Sequence, residues 1–364
     1  MKIAIVHDYL NQYGDAERCI EAIHKIFPEA PIYTSIYLPD QMPESFLKMD
    51  IRVSFMQKFP FLKKHFKKYL MFFPLAMKSF NLKIYDIILS SNSAFSKGVD
   101  KGLHAIHVCY CYSPMRFAWN YVKYIENENI GPVIRMVLPF FIKLLKRWDI
   151  NNNKNVDYFI AISSFTKERI KKYYLRDSEL IYPPVNVINY SISNKVGEYF
   201  LLVARLNPYK RIEIVIDVFN RLKLPLRIIG DGPFRNKLNK ISGSTIKFLG
   251  KVNEETLAIS YSNCRAIIFT GEEDFGIVPL EAQASGRPVI AYAAGGALAT
   301  IVNGVTGVFF SEQTSSSLVD AVNKFIENES SFNSEIIRNN AMRFDKEIFK
   351  AKIKDFILKK YENK

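Results

Sequence analysis

The stretch Gly271-Glu-Glu-Asp-Phe-Gly-Ile-Val-Pro-Leu-Glu-Ala-Gln-Ala-Ser-Gly286 decides how the chain is read. It follows Ala266-Ile-Ile-Phe269, an apolar run that predicts a buried strand. Pro279 suits the first turn of a helix, where its missing N–H costs little. Gly286 and Pro288 suit that helix's end. Val289-Ile-Ala291 predicts a further strand, and Gly295-Gly296 opens a further loop. Glu273 is thereby put on a loop after a strand, and Glu281 inside the helix that follows. In open parallel sheets, ligands collect just beyond the carboxyl ends of the strands. Carboxylates there accept hydrogen bonds from hydroxyl groups. Gly276 lets backbone approach a ligand, and a helix start offers free N–H groups and a positive dipole end. A ligand rich in hydroxyls and carrying phosphate suits all of this. A solvated loop ahead of an ordinary helix is the plainer alternative.

The same residues carry a resemblance. Glu273 and Glu281, with seven residues between them and Phe-Gly and Pro inside, resemble the E-x7-E signature of family-4 retaining glycosyltransferases. Glu281-Ala-Gln-Ala-Ser-Gly-Arg-Pro-Val-Ile290 and Gly295-Gly296 agree with it. The spacing alone is weak; the whole block is specific. The resemblance covers nearly the whole chain and is strongest from Arg205 to Gly307. It implies an α/β chain of the GT-B fold, with two doubly wound parallel-sheet, Rossmann-like domains facing a cleft. Strands alternating with helices, twice over, point the same way.

Composition bounds the reading. The chain has 364 residues, 48% hydrophobic and 24% charged, enough for two domains with proper cores. Cys19, Cys109, Cys111 and Cys264 are scattered, with no zinc spacing, which fits a reduced, cytoplasmic setting. Met1-Lys-Ile-Ala-Ile-Val6 runs straight into a strand, so no signal peptide is expected. No uninterrupted apolar run reaches the ~20 residues of a membrane span. The net charge of +14 calls for an anionic partner. No nucleic-acid motif is present, so nucleic acid is not the expected one.

In chain order, Lys2–His7 predicts a strand, and Gly14-Asp-Ala-Glu-Arg18 leads into a helix. Strand, glycine turn and helix make a phosphate-binding opening. GxGxxG is absent, so a dinucleotide reading is unsupported. In the resembled family this turn usually holds two adjacent glycines. Here the second is Asp15, whose carboxylate would repel phosphate. Residues 51–85 hold no acidic residue but contain Arg52 and seven lysines, Lys63, Lys64, Lys67 and Lys68 among them, interleaved with aromatic rings. This suits either the headgroup zone of an anionic membrane or a solvated basic face over an ordinary core. Asp86–Ser90 and Ala105–Cys109 predict strands, and Tyr110–Trp119 follows as a candidate site wall. Relatives typically show His-Thr-Pro where this chain has Tyr112-Ser113-Pro114. Tyr112 is thus a candidate for sugar and acceptor contact or for core packing, with Arg116 as a second acceptor candidate. His107 suits the core better than a catalytic base. Residues 130–153 predict a long basic amphipathic helix, either core or a second membrane contact. Asp157–Ile162 predicts a strand and Ser163 a helix cap.

The expected organisation is an acceptor-binding domain over 1–183, a linker over 184–197, a nucleotide-sugar domain over 198–344, and a helix over 345–364 crossing back to the first domain. In the second domain Tyr199–Ala204 predicts a strand left by Arg205-Leu-Asn-Pro-Tyr-Lys210. Arg205 and Lys210 match the family's pair of cations on the donor diphosphate; fixed cations stabilise the charge a departing diphosphate gains. Gly230 and Gly232 resemble the loop near the nucleotide base, and Val252 ends the next matching strand. The resemblance implies that Glu273 fixes sugar hydroxyls and Glu281 the ribose. Backbone from Phe275 through Gly276 and Ile277 to Val278 would line the donor, which Gly14 and Asp15 would also approach. These carboxylates bind; they are not the acid and nucleophile of a hydrolase. With no Asp-x-Asp, a divalent metal is not expected, nor any cofactor besides the donor.

The first domain, from His7-Asp-Tyr-Leu10 onward, resembles mannosyltransferases of O-antigen and surface polysaccharide synthesis. This implies a GDP-sugar, GDP-mannose foremost, rather than a UDP-sugar. It also implies a lipid-linked glycan acceptor and a peripheral seat on the inner face of the bacterial plasma membrane. A sugar-nucleotide epimerase of the same form and a non-catalytic membrane adaptor are the other classes left open.

Overall fold

The structure, a computed structural model, describes residues 1–121 and 132–363. The chain divides into two compact units, Met1–Pro184 with Phe349–Lys364, and Val185–Ile348. The first unit is built on a seven-stranded sheet: β1 Ile3–His7, β2 Ile32–Thr34, β3 Ile51–Val53, β4 Ile87–Asn92, β5 Ile106–Cys111, β6 Tyr158–Ala161 and β7 Ser178–Leu180. Their order is β3-β2-β1-β4-β5-β6-β7, and every pair is parallel. The second unit holds β8 Phe200–Val203, β9 Leu226–Ile229, β10 Ile246–Gly250, β11 Ile267–Phe269, β12 Val289–Tyr292 and β13 Gly307–Phe310. Their order is β10-β9-β8-β11-β12-β13, again all parallel. Both sheets are doubly wound. The order reverses between β1 and β4 in the first unit and between β8 and β11 in the second.

Parallel strands buried on both faces need apolar side chains at every position. Thus Phe200 and Leu202 of β8 enter one core cluster, and Leu201 between them enters the other. The stretch that opened the sequence reading folds as a loop followed by the helix Ile277–Ala284. Gly276 precedes that helix with φ +86°, a conformation that favours glycine. Past the helix end, Gly286 N donates to Gln283 O at 2.8 Å.

Three features differ from the sequence expectations. Residues 185–197 are not a free linker but are bonded into the second unit. Arg338 Nη1 donates to Tyr190 O at 2.7 Å, Arg287 Nη2 to Ser193 O at 2.6 Å, and Gly197 N to Asn263 O at 2.7 Å. The partners lie far along the chain, so no local pattern marks them. Strands β2 and β3, three residues each, went unpredicted because so short a run shows no period. The strand predicted to end at Ser90 continues to Asn92. The last helix runs Lys346–Glu362, and its residues from Phe349 onward belong to the first unit.

Candidate functional site

Because all strands of the second sheet run parallel, the loops leaving them share one edge. At the reversal point, β8 ends in Ala204–Arg211 and β11 in Thr270–Gly276. Lys210 closes the turn Pro208–Lys210 of the first loop, and Glu273 stands on the second. The Lys210 ammonium and the Glu273 carboxylate form an ion pair. The pair is mostly but not fully shielded, the two side chains being 14% and 19% exposed. Its backbone is pinned from beneath: Thr270 Oγ1 donates to Lys210 O at 2.6 Å, and Gln313 Nε2 to Thr270 O at 2.7 Å. Arg205, on the same loop as Lys210, is exposed. The expected diphosphate cations therefore occupy one strand end, and one of them touches the expected sugar carboxylate.

Glu281 is 4% exposed and accepts from the Tyr261 hydroxyl at 2.8 Å. The Phe275 and Ile277 side chains are buried, so this segment offers a ligand its backbone. Gly295 and Gly296 hold the loop from the far side. A Cβ on Gly295 would lie 2.3 Å from Glu273 O, and one on Gly296 2.1 Å from Phe275 O. Gly296 N also donates to Glu273 O at 2.8 Å. Gly230 and Gly232 leave β9 on the same edge, and Val252 follows β10; Val252 and Val278 pack half-buried against the core. The edge offers two cations, two carboxylates and a helix start, a set that accepts hydroxyls and pairs with phosphate.

The first unit is built differently at its reversal point. Asp8, directly after β1, is buried. Its Oδ2 accepts from Ser93 N at 2.6 Å and Ala94 N at 2.9 Å, and its Oδ1 from Phe95 N and Ser96 N, both at 2.6 Å. Four backbone donors converging on one carboxylate make an internal anion site. Beside it Tyr112 donates to Ala16 O at 3.1 Å and shares a 2.8 Å bond with Ser91 Oγ. A carbonyl only accepts, so Ser91 donates to Tyr112 and His7 Nδ1, 3.1 Å from Ser91 Oγ, carries a proton toward it. His7 Nε2 faces Glu17 Oε1 at 3.4 Å, and Glu17 Oε2 accepts from Gly14 N at 2.8 Å. Burial pushes the Tyr112 hydroxyl well above its ordinary pKa, so it stays protonated and its hydrogen is committed to Ala16. The Gly14 amide is likewise committed. Asp15 is the exposed first residue of the helix Asp15–Ile26, where the dipole favours a carboxylate. Arg116 opens the short helix Arg116–Trp119.

His107 is a core residue, as expected. Its Nδ1 lies 3.0 Å from Asn155 O and so donates there, leaving Nε2 to accept from Ser90 Oγ at 2.8 Å. Deeper still, the Lys97 ammonium pairs with Asp149, both fully buried. Trp119 Nε1 and the Tyr174 hydroxyl donate to Asp149 at 2.7 and 2.9 Å.

The basic segment 51–85 divides into two sides. Phe73, Ala76 and Met77 are core, whereas Phe55, Phe61, Met71, Phe72 and Leu75 are exposed, as are Lys63 and Lys68. Lys63 reaches Asp40 at 3.5 Å. The side chains of Lys64 and Lys67 lie outside the described residues. The helix Pro132–Asn152 buries Ile142, Leu145 and Asp149 and exposes Met136, Val137, Phe140, Phe141 and Leu144. Residues 130 and 131 of the expected helix also lie outside the described residues. Phe73 of the basic segment stacks on Phe95 at 5.1 Å, and Trp148 of the helix packs on the same ring at 5.5 Å. Among the described residues no helix is long and apolar enough to cross a membrane, and no His, Cys, Asp and Glu group could hold a metal.

The sequence reading passed over Asp8, His7 and Tyr261. Asp8 and His7 stood in the quoted His7-Asp-Tyr-Leu10, where a carboxylate straight after a buried strand was the available signal. Nothing in sequence ties Tyr261 to Glu281.

Residues 190–343 match the model of the family described as glycosyl transferases group 1. An Escherichia coli O-antigen chain mannosyltransferase C is 32% identical over 177 residues, 46% of this chain and 46% of that protein. A GDP-mannose-dependent alpha-mannosyltransferase of Corynebacterium glutamicum is 36% identical over 107 residues, 29% of this chain and 26% of that protein. The chain spans about half the length, or less, of the curated relatives it matches. Anabaena HepE, solved in complex with UDP, superposes with a TM-score of 0.72 at 19% identity, covering 99% of this chain and all of that one. The fold is GT-B, and the chain resembles O-antigen mannosyltransferases.

Proposed function

We propose that this chain, through its glycosyl transferases group 1 domain, moves a sugar from a nucleotide diphosphate-sugar to a lipid-linked or polysaccharide acceptor in surface glycan synthesis. The anomeric configuration is retained. The observation that carries the reading is the Lys210–Glu273 pair at the reversal point of the second sheet, inside the family match. An arriving diphosphate takes the Lys210 ammonium, and Arg205 adds a second positive charge. Glu273, released, accepts from the sugar hydroxyls. As the anomeric C–O bond breaks, the diphosphate gains charge, and a cation already held in a mostly shielded position, as Lys210 is, stabilises it most. No divalent metal is needed in this scheme. The leaving phosphate takes the acceptor's proton. Glu281, steadied by Tyr261, accepts from the ribose, while Gly230, Gly232 and Val252 flank the base and the Phe275–Val278 backbone lines the sugar.

Arg116 of the first unit contacts the acceptor. Tyr112, its hydroxyl committed, acts as a positioning residue that holds the Gly14–Asp15 turn. GDP-mannose leads the donors because the relatives are named mannosyltransferases. UDP-sugars stay in the screen because HepE was solved with UDP. The exposed rings and cations of residues 55–75 and of the helix Pro132–Asn152 back onto one buried ring. They favour an anionic lipid surface, with roughly 1 kcal/mol per lysine near it, at the inner face of the plasma membrane.

Screening GDP- and UDP-sugars for thermal stabilisation, then testing the best on lipid-linked acceptors, checks the activity. Turnover of one donor with retained anomeric configuration is expected; no donor stabilising the protein contradicts the proposal. Sedimentation with anionic liposomes checks the membrane. Equal binding after Lys63, Lys64, Lys67 and Lys68 become Glu would remove that part.

A further inference from the structure

The two faces of the second sheet are not covered alike. On one face apolar side chains run to the edge, with Leu226 and Ile228 of β9 and Ile246 of β10 all buried. On the other, Leu201 of β8 and Ile267 of β11 lie under a core cluster. Beyond them β9 presents Arg227 and the edge strand β10 presents Lys247, both exposed. The two are direct partners in the parallel register. A doubly wound parallel sheet normally has both faces covered, and like charges facing each other on neighbouring strands repel.

This bare strip borders a groove of about 410 Å³, closed on its far side by the helix Glu254–Asn263. That volume lies in the range of small-molecule pockets, about 300–1,000 Å³. Lys195 and Arg227 bring positive charge to it, Leu249 and Ile259 an exposed apolar flank, Thr256 a hydroxyl, and no lining residue is acidic. The Arg227 guanidinium lies over the Tyr199 ring, 3.8 Å from its centre. Stacking fixes the plane of the guanidinium without neutralising it. Arg227, pre-oriented, and Lys195 thus line a cavity whose lining holds no acidic residue, and Lys247 stands beside Arg227 on the edge strand as a third cation.

We infer that this groove is a second binding site, for a small soluble molecule bearing a phosphoryl group. Arg227 holds the phosphoryl oxygens through its forked donors, Lys195 and Lys247 supply further charge, and the apolar part lies on Leu249 and Ile259. A phosphoryl group suits the three cations better than a carboxylate because it carries about two negative charges. A flat lipid surface would not fill a groove. The site shares no residue with the Lys210–Glu273 edge, although the helix that walls it also carries Tyr261, the partner of Glu281.

Inorganic pyrophosphate, titrated calorimetrically into the full chain carrying Arg205→Ala and Lys210→Ala, reads the groove with the strand-end cations removed. This chain is expected to bind, and adding Arg227→Gln with Lys247→Gln is expected to weaken binding at least tenfold. Absence of binding in the first chain, or equal binding in the second, overturns the proposal; neither result bears on sugar transfer. Lys247→Gln alone, on the exposed edge, guards against misfolding. It should weaken binding a few-fold and raise the melting temperature in phosphate-free buffer, and an unchanged affinity would also count against the site. Arg227-dependent sedimentation with phosphatidate vesicles, without pyrophosphate binding, would make the occupant a lipid headgroup and overturn the soluble one.

Discussion

The two sheets share a winding pattern and part company at the place where the strand order reverses. In the first unit that place is filled by the chain's own anion: Asp8 accepts from four consecutive backbone amides. In the second it holds Lys210 against Glu273, a pair left partly open to solvent. Ligands favour such crevices because strand ends and helix starts leave donors unsatisfied. A carboxylate with four donors on it leaves nothing there for a ligand to satisfy. A cation paired with a partly exposed carboxylate can be taken over by a phosphate. The same slot therefore holds a structural rivet in one unit and, in the other, a partly open ion pair that is the proposed binding position, and side chains rather than topology make the difference.

Removing the cation breaks the comparison most severely. Lys210→Ala should lower sugar transfer by about 10²–10³-fold with its melting temperature within a few degrees of the parent, measured by product formation from the best donor. Weakening the rivet should act on stability instead. Asp8→Asn turns two accepting positions into an N–H₂ facing backbone donors, and should cost on the order of 3 kcal/mol in urea unfolding. A loss under about 1 kcal/mol would mean the turn holds itself.

Mild acid separates the units without mutation, since all five histidines lie in the first. Burial holds the His107 imidazole at about 4, against an ordinary 6.5. Between those values the unfolded chain binds a proton that the folded chain excludes. Stability of the first unit should fall as pH drops from about 6.5 to about 4 and level off below, by at most ~3 kcal/mol. Scanning calorimetry at several pH values, with the His107→Gln chain showing a flatter profile, checks it. The smallest effect is expected at Tyr261→Phe. Loss of one hydrogen bond to the buried Glu281 should cost roughly 1–2 kcal/mol and weaken donor binding a few-fold, read from KM rather than kcat.

Much of the second unit was legible in sequence. Its strands β8, β11 and β12 are continuous apolar runs, Pro279 and Gly286 bracket the helix, and Gly295-Gly296 must be small because backbone passes within contact of where their Cβ atoms would be. The Lys210–Glu273 contact was foreshadowed by putting both on strand ends, though not as an ion pair. The first unit was less legible. Its strands β2 and β3 are too short to show a period, and its polar network of His7, Ser91, Tyr112 and Ala16 joins residues up to about a hundred positions apart. Long-range hydrogen bonds leave no local pattern. Tyr112 illustrates this: its position after a strand suggested a site wall, and its hydroxyl is instead committed to the Ala16 carbonyl. The segment 185–197 had loop-like composition and still belongs to a packed unit, because arginines far along the chain, Arg287 before β12 and Arg338 of the helix Ser334–Met342, supply its carbonyls with partners.

In the proposed function the second unit grips a nucleotide diphosphate through Lys210. Calorimetric titration of GDP and UDP into the parent chain, Lys210→Ala and Asp8→Asn tests it directly. One of the two nucleotides is expected to bind the parent chain and folded Asp8→Asn alike, and to bind Lys210→Ala at least tenfold more weakly. Nucleotide binding undiminished in Lys210→Ala, or lost only in a folded Asp8→Asn chain, would contradict it.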